Sequence, residues 1–475
     1  MTQYKMLING KFVDGAATLD VVNPATEEVF ATCARADLNQ LNEAVAAAKA
    51  AFPAWSKTPI AERRKRLEAL SADFKAMHEE FARLLTEEQG KPLPHAMYEV
   101  GGAIAMIDYF AAQELPEKVL RDNENERIVQ QRAPLGVVAA ITPWNFPVIL
   151  LMLKVPAALI MGNTVVIKPA PTTPLTTLKF GELCAKHLPP GVVNIIVDQN
   201  DLGGALTSHP DVAKVAFTGS TETGKKVMAS VSSTLKRLTL ELGGNDAAIV
   251  LDDVDPKVAA PQVFAGATMN AGQVCLAIKR LYVHESQYDA MCEELVKLAN
   301  ETIVDDGMKQ GTQMGPVQNK QQYEKVLGYI EDARQRGKII AGGEKLNRKG
   351  YFIPPTIVRD IPDDARLVRE EQFGPVLPVL RYKDVDDAVA RANDTEYGLG
   401  GTVWSNNLDR ALGVAQRIES GTVWINKHLD LPPDIPFAGA KKSGFGSEMG
   451  VEGLEEFTQA RVINMSKAPP GAAHA

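Results

Sequence analysis

The chain has 475 residues, 45% hydrophobic and 23% charged, values that allow two or three globular domains with a buried core in each. Its formal net charge of −8, without any basic segment, argues against a nucleic-acid partner. We expect no secretion signal, because the N-terminus is polar, and no membrane span, because the most apolar segment (148–162) is short and contains Lys154 and Pro156. The four cysteines show no paired spacing, which predicts a reducing cytoplasm without disulfides or a zinc site.

Helical periodicity dominates residues 40–115, where Ala44, Val45, Ala48 and Phe52 recur at helical spacing. From about Arg127, short apolar runs alternate with helical segments. Strands are predicted at Val137–Thr142, Thr164–Lys168, Val192–Val197, Val215–Thr218 and Leu238–Leu242, with helices near 147–161, 173–188, 202–208 and 222–233.

A second alternating series follows. Its strands are predicted at Arg280–His284, Lys338–Ala341, Val376–Tyr382, Thr402–Trp404 and Thr422–Ile425, with helices near 286–302, 319–336, 384–393 and 408–418. Regular alternation is typical of parallel sheets that helices cover on both faces. The sequence therefore predicts an α/β protein of two tandem parallel-sheet domains that divide near Gly243–Asp253, followed by a frayed tail from Pro469.

The segment Gly219-Ser220-Thr221-Glu222-Thr223-Gly224-Lys225-Lys226 follows a predicted strand and begins a helix. It nearly matches the phosphate loop of nucleoside triphosphatases, but Lys226 stands where that loop has its magnesium-binding Ser or Thr. The alternative is an ordinary turn with a helix N-cap. Because N–H groups at a helix start favour phosphate, a dinucleotide pyrophosphate is also compatible, although the usual GxGxxG fingerprint is absent.

Two further motifs carry a carboxylate and a thiol. Glu241 ends a predicted strand before Gly243-Gly244, at the edge where open α/β sheets bind ligands; a solvated strand end is the alternative. Cys275 follows the polar, glycine-containing segment 270–274, where a thiolate can be stabilised. A lone cysteine is more often a small core residue, and we interpret the other three cysteines in that way.

The segment Thr142-Pro143-Trp144-Asn145-Phe146-Pro147 follows another predicted strand. Its two prolines restrict the backbone on both sides of Asn145, so the amide can be held in the direction of a developing oxyanion. The alternative is a rigid turn with a buried Trp144.

Together, and in this order, these motifs resemble those of the NAD(P)-dependent aldehyde dehydrogenases, of the non-acylating type with a cysteine nucleophile. The resemblance extends from Ile8-Asn9-Gly10-Lys11 to Phe457. It also includes Lys168-Pro169-Ala170, Phe217-Thr218-Gly219-Ser220, Glu370-Glu371-Gln372-Phe373-Gly374-Pro375, Pro436-Phe437-Ala438-Gly439 and Lys442-Ser443-Gly444.

The resemblance implies that Cys275 is the nucleophile and Glu241 the general base. The amide of Asn145 and the backbone N–H of Cys275 would form the oxyanion hole. These residue types suit the reaction, because a thiolate forms a thiohemiacetal with an aldehyde, and water deprotonated by a carboxylate hydrolyses the thioester that follows. The reaction needs no metal, and we predict none.

The resemblance also implies an NAD site. Lys168 would bind the adenine ribose, and Glu371 the nicotinamide ribose with Phe373 beside it. Further residues implied at the cofactor are Thr142, Trp144, Gly203, Gly219 and Ser220. Pro171 departs from the family pattern, because many NAD-preferring members have a glutamate there for the ribose 2′-OH, so NADP is also compatible.

The family's architecture implies a Rossmann-like dinucleotide-binding domain formed by residues 1–116 and 135–243. Residues 244–454 would form the catalytic domain. A small β element, formed by residues 117–134 and 455–475, would pair subunits into a homodimer or homotetramer.

An apolar channel is predicted after Asn145, formed by Phe146, Leu150 and Leu153 with Phe437 as an opposing wall. Leu153 stands where several semialdehyde-oxidising members have an arginine, so a carboxylate-tailed substrate would lose its hydration without compensation. We therefore favour a medium- to long-chain aliphatic or arylalkyl aldehyde over succinic semialdehyde or betaine aldehyde.

Three other functions are less consistent with these residues. A phosphohydrolase lacks the hydroxyl at Lys226, and a catalytically inactive structural relative would not need Cys275, Glu241 and Asn145 together. An acylating enzyme, which transfers the thioester to coenzyme A, generally lacks the base that Glu241 provides.

Overall fold

A computed structural model gives the structure of residues 2–468, so the tail predicted from Pro469 lies outside the described residues. The strands, in chain order, are β1 (Thr2–Tyr4), β2 (Met6–Ile8), β3 (Lys11–Val13), β4 (Ala17–Asn23), β5 (Glu28–Arg35), β6 (Lys118–Asp122), β7 (Glu126–Pro134), β8 (Val137–Ile141), β9 (Thr164–Lys168), β10 (Val193–Ile195), β11 (Val212–Thr218), β12 (Arg237–Glu241), β13 (Asp246–Val250), β14 (Ile278–His284), β15 (Lys338–Ala341), β16 (Thr356–Arg359), β17 (Val376–Tyr382), β18 (Tyr397–Gly398), β19 (Gly400–Trp404), β20 (Thr422–Ile425), β21 (Ala440–Lys441), β22 (Gly444–Phe445) and β23 (Thr458–Ser466).

The α-helices, in chain order, are α1 (Leu38–Lys57), α2 (Ile60–Ala76), α3 (His78–Gln89), α4 (Leu93–Ala112), α5 (Ile149–Met152), α6 (Val155–Ile160), α7 (Leu175–His187), α8 (Gly203–Ser208), α9 (Thr221–Val231), α10 (Pro256–Thr268), α11 (Tyr288–Glu301), α12 (Lys320–Arg336), α13 (Arg366–Arg369), α14 (Val385–Asn393), α15 (Leu408–Ala415) and α16 (Gly450–Glu455). Among residues 2–468, no helix combines the length and the apolar character that crossing a membrane requires.

The first main sheet has eight strands in the order β22-β12-β11-β8-β9-β10-β2-β3. Its five central strands, from β12 to β10, are all parallel to their neighbours. The outer strands β22, β2 and β3 are antiparallel. Strands β8 and β9 are buried along their whole length, as expected for parallel strands that are covered on both faces.

The second main sheet has seven strands in the order β15-β16-β17-β14-β13-β19-β20, and only the outer strand β15 is antiparallel to its neighbour. Separate apolar cores cover its two faces, one around Tyr282 and the other around Leu281, adjacent residues of β14 that point to opposite sides. The predicted fold class, two α/β domains in tandem, is confirmed.

Strand β13 (Asp246–Val250) lies between β14 and β19 near the middle of the second sheet, yet the sequence analysis did not predict it. It was missed because only Leu242–Asn245 separates it from β12, and these residues carry the chain from one sheet to the other. Strand β16 was missed too, because it has only four residues, and β4 and β5 were missed because most of their residues are exposed or only partly buried.

The single helix predicted near 147–161 is wrong, because two short helices, α5 and α6, replace it. The chain bends at Lys154, and Pro156 lies in the first turn of α6, where its missing N–H removes no helical hydrogen bond. The bend directs the buried Lys154 side chain toward the end of β11, where its Nζ donates to Thr218 Oγ1 at 2.7 Å.

A small antiparallel sheet of order β23-β7-β6 lies within the residues predicted as a bridging element. Strands β23 and β7 pair over nine residues, from Thr458 opposite Pro134 to Ser466 opposite Glu126. Several apolar side chains on this sheet are about half exposed: Val119, Leu120, Val462 and Met465.

Candidate active site

A cavity of about 180 Å³ lies where the carboxyl ends of β8, β11 and β12 meet the second domain. This edge is the usual ligand-binding edge of an open α/β sheet. The residues that line the cavity are Pro143, Trp144, Asn145, Leu150, Thr218, Gly219, Ser220, Leu242, Gly243, Cys275, Gln322, Lys325, Glu371 and Phe373.

The chain before Cys275 has an unusual backbone. Asn270 and Ala271 have positive φ angles of 50° and 55°, and Gly272 has a φ of 70°. A Cβ on Gly272 would approach the carbonyl oxygen of Gly374 to 2.2 Å, so only glycine fits at this position. This turn brings the sulfur of Cys275 to the cavity.

Cys275 differs from the other three cysteines, which are fully buried, because its side chain is partly exposed at the cavity. Burial nevertheless raises the pKa of its thiol to about 12, and the carboxylates of Glu371, Asp246 and Glu241 raise the pKa further. Lys279 opposes this shift. The thiol therefore needs a nearby base before it can act as a thiolate nucleophile near neutral pH.

Asn145 is buried, and both its backbone and its amide have defined partners. The amide Nδ2 donates to the carbonyl oxygen of Gln273 at 2.9 Å. The Asn145 carbonyl oxygen accepts from Lys91 Nζ and from Asn270 Nδ2, both at 3.0 Å. The second amide N–H makes no hydrogen bond to any described residue, so it can donate to a group bound in the cavity.

Glu241 is the last residue of β12, and its buried carboxylate has no hydrogen-bond partner at either oxygen among the described residues. Burial raises its pKa well above the usual range, and the negative charge of Glu448 raises it further, while Lys154 opposes the shift. Lys154 and Glu448 form a buried ion pair. Glu241 does not line the cavity itself, although it is close enough to raise the pKa of Cys275.

Glu371 is another acidic residue of the site, and it lines the cavity. Its Oε1 accepts from the backbone N–H of Gly244 at 3.0 Å and lies 3.5 Å from Lys279 Nζ. A Cβ on Gly243 would lie 2.4 Å from Glu371 Oε2, so the close approach of this carboxylate requires glycine. Phe373 packs edge-to-face against Trp144, with 5.3 Å between the ring centres.

The sequence analysis missed two polar residues of the cavity, Gln322 and Lys325, on helix α12. Lys325 Nζ donates to the carbonyl oxygen of Glu371 at 3.3 Å, and Gln322 Nε2 donates to that of Phe373 at 2.9 Å. Their spacing of three residues places them on one helical face. Because many polar pairs on amphipathic helices share this spacing, it did not identify them as site residues.

Four residues expected at the cofactor do not line this cavity: Thr142, Lys168, Pro171 and Gly203. Lys168 Nζ is 2.6 Å from Asp198 Oδ1, and Gly203 lies beside its aliphatic stem. Thr142 is buried with an unpartnered hydroxyl, and Pro171 is partly exposed in the turn after β9.

Gly219 and Ser220 line the cavity at the start of helix α9, where Ser220 Oγ accepts from the N–H of Thr223 at 3.3 Å. The segment after β11 is therefore an N-capped helix start that faces the cavity.

Of the four residues expected to form an apolar channel, only Leu150 lines the cavity. Phe146 is partly buried, with the Lys91 ammonium 3.7 Å from its ring centre. Leu153 and Phe437 are buried in the core of the first domain. The face expected to join Leu150 and Leu153 does not line the cavity, because the helix ends at Met152 and Leu153 packs inward.

Sequence comparison identifies relatives along almost the whole chain. A sequence model of the aldehyde dehydrogenase family matches residues 12–463. The chain is 41% identical to a mitochondrial aldehyde dehydrogenase of Leishmania tarentolae, covering 98% of this chain and 95% of that protein. It is 40% identical to phenylacetaldehyde dehydrogenase of Pseudomonas fluorescens (97% and 95% covered) and 38% identical to mitochondrial succinate-semialdehyde dehydrogenase of Arabidopsis thaliana (96% and 88%).

Solved structures with the same fold include an NAD⁺ complex of an aldehyde dehydrogenase from Bacillus cereus. It has a TM-score of 0.96 and 37% identity, with 98% of this chain and 97% of that chain covered. An NADP-dependent enzyme from E. coli has a TM-score of 0.95 and 35% identity, with 98% of both chains covered.

The raised pKa of Glu241 predicts a pH-dependent loss of stability. The folded protein binds this proton more tightly than the unfolded chain, so the free energy of unfolding falls as the pH rises above the ordinary glutamate value of about 4.5. Glu241→Gln removes this penalty. We expect the melting temperature of the variant to exceed that of the parent protein at pH 8, and the difference to shrink toward pH 5. The exposed Glu301→Gln is the control, and an equal difference at both pH values would contradict the assignment.

Proposed function

The chain belongs to the aldehyde dehydrogenase family and is an NAD(P)-dependent enzyme, and we propose that it oxidises an apolar aldehyde to the carboxylic acid through a thioester on Cys275. One observation carries this proposal: Cys275 and the amide of Asn145 line one cavity, with the unpartnered carboxylate of Glu241 behind it. A thiol, an amide donor and a buried base are the groups that covalent oxidation of an aldehyde requires.

The residues around the cavity fit a nicotinamide dinucleotide. The unpartnered hydroxyl of Thr142 is a free donor, and glycine at position 243 lets the Glu371 carboxylate approach the cavity. Glu371 and Phe373 would hold the nicotinamide ribose, with Gln322 and Lys325 beside them. Trp144, Gly219 and Ser220 would contact the pyrophosphate, and Lys168, Gly203 and Pro171 the adenosine. When bound, the dinucleotide accepts a hydride from the substrate carbon.

The protein's own residues account for the covalent steps. The Cys275 thiol, with a pKa near 12, loses its proton to a base and attacks the aldehyde carbon. The free N–H of Asn145 and the backbone N–H of Cys275 donate to the resulting oxyanion. Because burial raises its pKa, the Glu241 carboxylate is a stronger base than an exposed glutamate. It therefore serves as the base for the water that hydrolyses the thioester.

An apolar aldehyde is the substrate that the cavity favours. Leu150 and Leu242 are among its lining residues, together with the rings of Trp144 and Phe373. The charged side chains that line it are Lys325 and Glu371. Both lie at the proposed ribose end, where Lys325 Nζ donates to the carbonyl oxygen of Glu371. The carboxylate of a carboxylate-tailed aldehyde would lose its hydration beside Leu150 without a cation to compensate for the loss. The related succinate-semialdehyde dehydrogenase makes that substrate class the main alternative.

The proposal extends to assembly and location. We assign dinucleotide binding to residues 1–116 and 135–243, catalysis to 244–454, and assembly into a homodimer or homotetramer to 117–134 and 455–475. The half-exposed apolar side chains of the β23-β7-β6 sheet support an assembly surface, since oligomers bury such surfaces. The free cysteines favour the cytoplasm.

Substitution of the nucleophile tests the covalent step. We expect Cys275→Ala to lower aldehyde oxidation by about 10³-fold or more, with unchanged folding and dinucleotide affinity, because only the covalent step is lost. Glu241→Ala should still give a burst of reduced dinucleotide, followed by slow turnover limited by thioester hydrolysis. Cys292→Ala, at a buried cysteine outside the cavity, is the control. Normal activity in Cys275→Ala would refute the mechanism.

The second prediction concerns the choice of dinucleotide. Pro171→Glu should lower kcat/KM for NADP by about tenfold or more, because the new carboxylate would repel the 2′-phosphate. The value for NAD should stay equal or rise. Asn42→Asp, at an exposed position of α1 in the same domain, is the control for a general effect of charge. An unchanged kcat/KM for NADP in Pro171→Glu would show that this residue is not at the adenine ribose.

The third prediction concerns the aldehyde. Each buried methylene contributes about 0.8 kcal/mol to binding. The value of kcat/KM should therefore rise about fourfold per methylene from acetaldehyde toward decanal, until the apolar side of the cavity is filled. Phenylacetaldehyde should be oxidised well, and succinic semialdehyde and betaine aldehyde poorly. Leu150→Ala should flatten the chain-length dependence, whereas Leu412→Ala on the exposed face of α15 should not. A clear preference for succinic semialdehyde would overturn the apolar assignment.

A further inference from the structure

A buried ion pair lies behind the segment that carries Asn145. Lys91, between α3 and α4, pairs with Glu99 on α4, and each side chain is only 1% exposed. Neither residue lines the cavity. The proposed reaction therefore gives no role to either residue.

Each partner of the pair contacts the segment from Asn145 to Ile149. Lys91 Nζ donates to the carbonyl oxygen of Asn145 at 3.0 Å, and its ammonium lies 3.7 Å from the ring centre of Phe146. Glu99 Oε1 accepts from the backbone N–H of Val148 at 3.0 Å and of Ile149 at 3.2 Å. The pair thus contacts this segment on both sides of Pro147.

These contacts complete the set of bonds that orients the Asn145 amide. The Asn145 carbonyl oxygen accepts from Lys91 and also from Asn270, which belongs to the turn before Cys275. The amide Nδ2 donates to Gln273 of the same turn. With the backbone of Asn145 and one amide N–H fixed, the direction of the remaining N–H is determined as well.

Stability alone is a weak explanation for this pair. Two fully buried charges lose their hydration, and apolar side chains of similar volume are often equally stabilising or better. Burial also lowers the pKa of Lys91, which reflects this cost, although Glu99 opposes the shift. What an apolar pair could not supply is a donor for the Asn145 carbonyl and an acceptor for the two N–H groups of Val148 and Ile149.

We infer that the Lys91–Glu99 ion pair positions the amide of Asn145 for stabilisation of the oxyanion, so that both are positioning residues for formation of the thioester. The inference rests on the proposed function, because it assumes that the Asn145 amide faces the reacting oxygen. A displacement of about 1 Å in such a group costs about 100-fold in rate. The pair should therefore affect thioester formation more than dinucleotide binding.

The test is the rate at which reduced dinucleotide forms in the initial burst after rapid mixing with aldehyde. This rate is expressed per reactive Cys275 thiol, which is counted by titration with iodoacetamide. We expect Lys91→Met to slow the burst by about 10- to 100-fold, with an unchanged dissociation constant for NAD. Because Lys91→Met leaves the buried charge of Glu99 without its cation and can unfold the protein, Lys91→Met/Glu99→Met is measured as well. This double variant removes both charges and should fold, with a burst as slow as that of the single variant.

The Asn145→Ala background separates positioning from general damage. Asn145→Ala alone should slow the burst by about 100-fold or more, and adding Lys91→Met should then change it by less than about twofold. Lys179→Met, at a mostly buried lysine that pairs with Glu80 on the first domain's outer helices, is the matched control and should leave the burst unchanged.

The outcomes distinguish the two hypotheses. If Asn145→Ala leaves the burst unchanged, the proposed oxyanion role fails and the inference fails with it. If Asn145→Ala slows the burst while both Lys91 variants match the parent protein, only the inference is overturned. The inference is also overturned if Lys91→Met slows the burst by the same factor with and without the Asn145 side chain.

Discussion

The active site depends on the crossing of the chain between its two main sheets. Strand β12 ends at Glu241 in the first sheet, and β13 begins at Asp246 in the second, so four residues join the two domains. A Cβ on Gly243 would lie 2.4 Å from Glu371 Oε2, and one on Gly244 would lie 2.5 Å from the carbonyl oxygen of Cys275. The two glycines therefore let the crossing pass directly between Cys275, the proposed nucleophile, and Glu371, the carboxylate proposed to bind the ribose.

Burial of ionisable groups is the second feature that shapes the site. Burial raises the pKa of both Glu241 and Cys275, and the buried ion pair Lys154–Glu448 acts on Glu241 in opposite directions, because Glu448 raises its pKa and Lys154 lowers it. An unpartnered carboxylate costs stability, but its raised pKa makes it a stronger base than an exposed glutamate. The site thus exchanges some stability for reactivity, since the buried carboxylate of Glu241 is left without a hydrogen-bond partner among the described residues.

Both domains contribute residues to the site. The first domain supplies Asn145, Leu150 and, behind the cavity, Glu241, which we propose act on the aldehyde and on the thioester, together with Gly219 and Ser220 at the proposed pyrophosphate site. The second domain supplies Cys275 and, on α12 and before β17, the polar groups proposed to contact the cofactor. Relatives of this chain include a phenylacetaldehyde dehydrogenase and a succinate-semialdehyde dehydrogenase, so membership of the family does not by itself identify the aldehyde.

The sequence by itself determined the fold class, the family and the strand ends that carry Asn145, Glu241 and Ser220, because alternating apolar runs and local turn motifs are properties of neighbouring residues. It did not reveal β13, since Asp246–Val250 lies inside the range Gly243–Asp253 where the two domains were predicted to divide. Only the tertiary structure could bring Lys91 and Glu99 to Asn145, which lies 54 and 46 positions farther along the chain. The tertiary structure also showed that Leu153 and Phe437 are buried in the core and do not line the cavity. Which face of a short helix is buried depends on what packs against it, and that contact involves residues that are distant in the sequence.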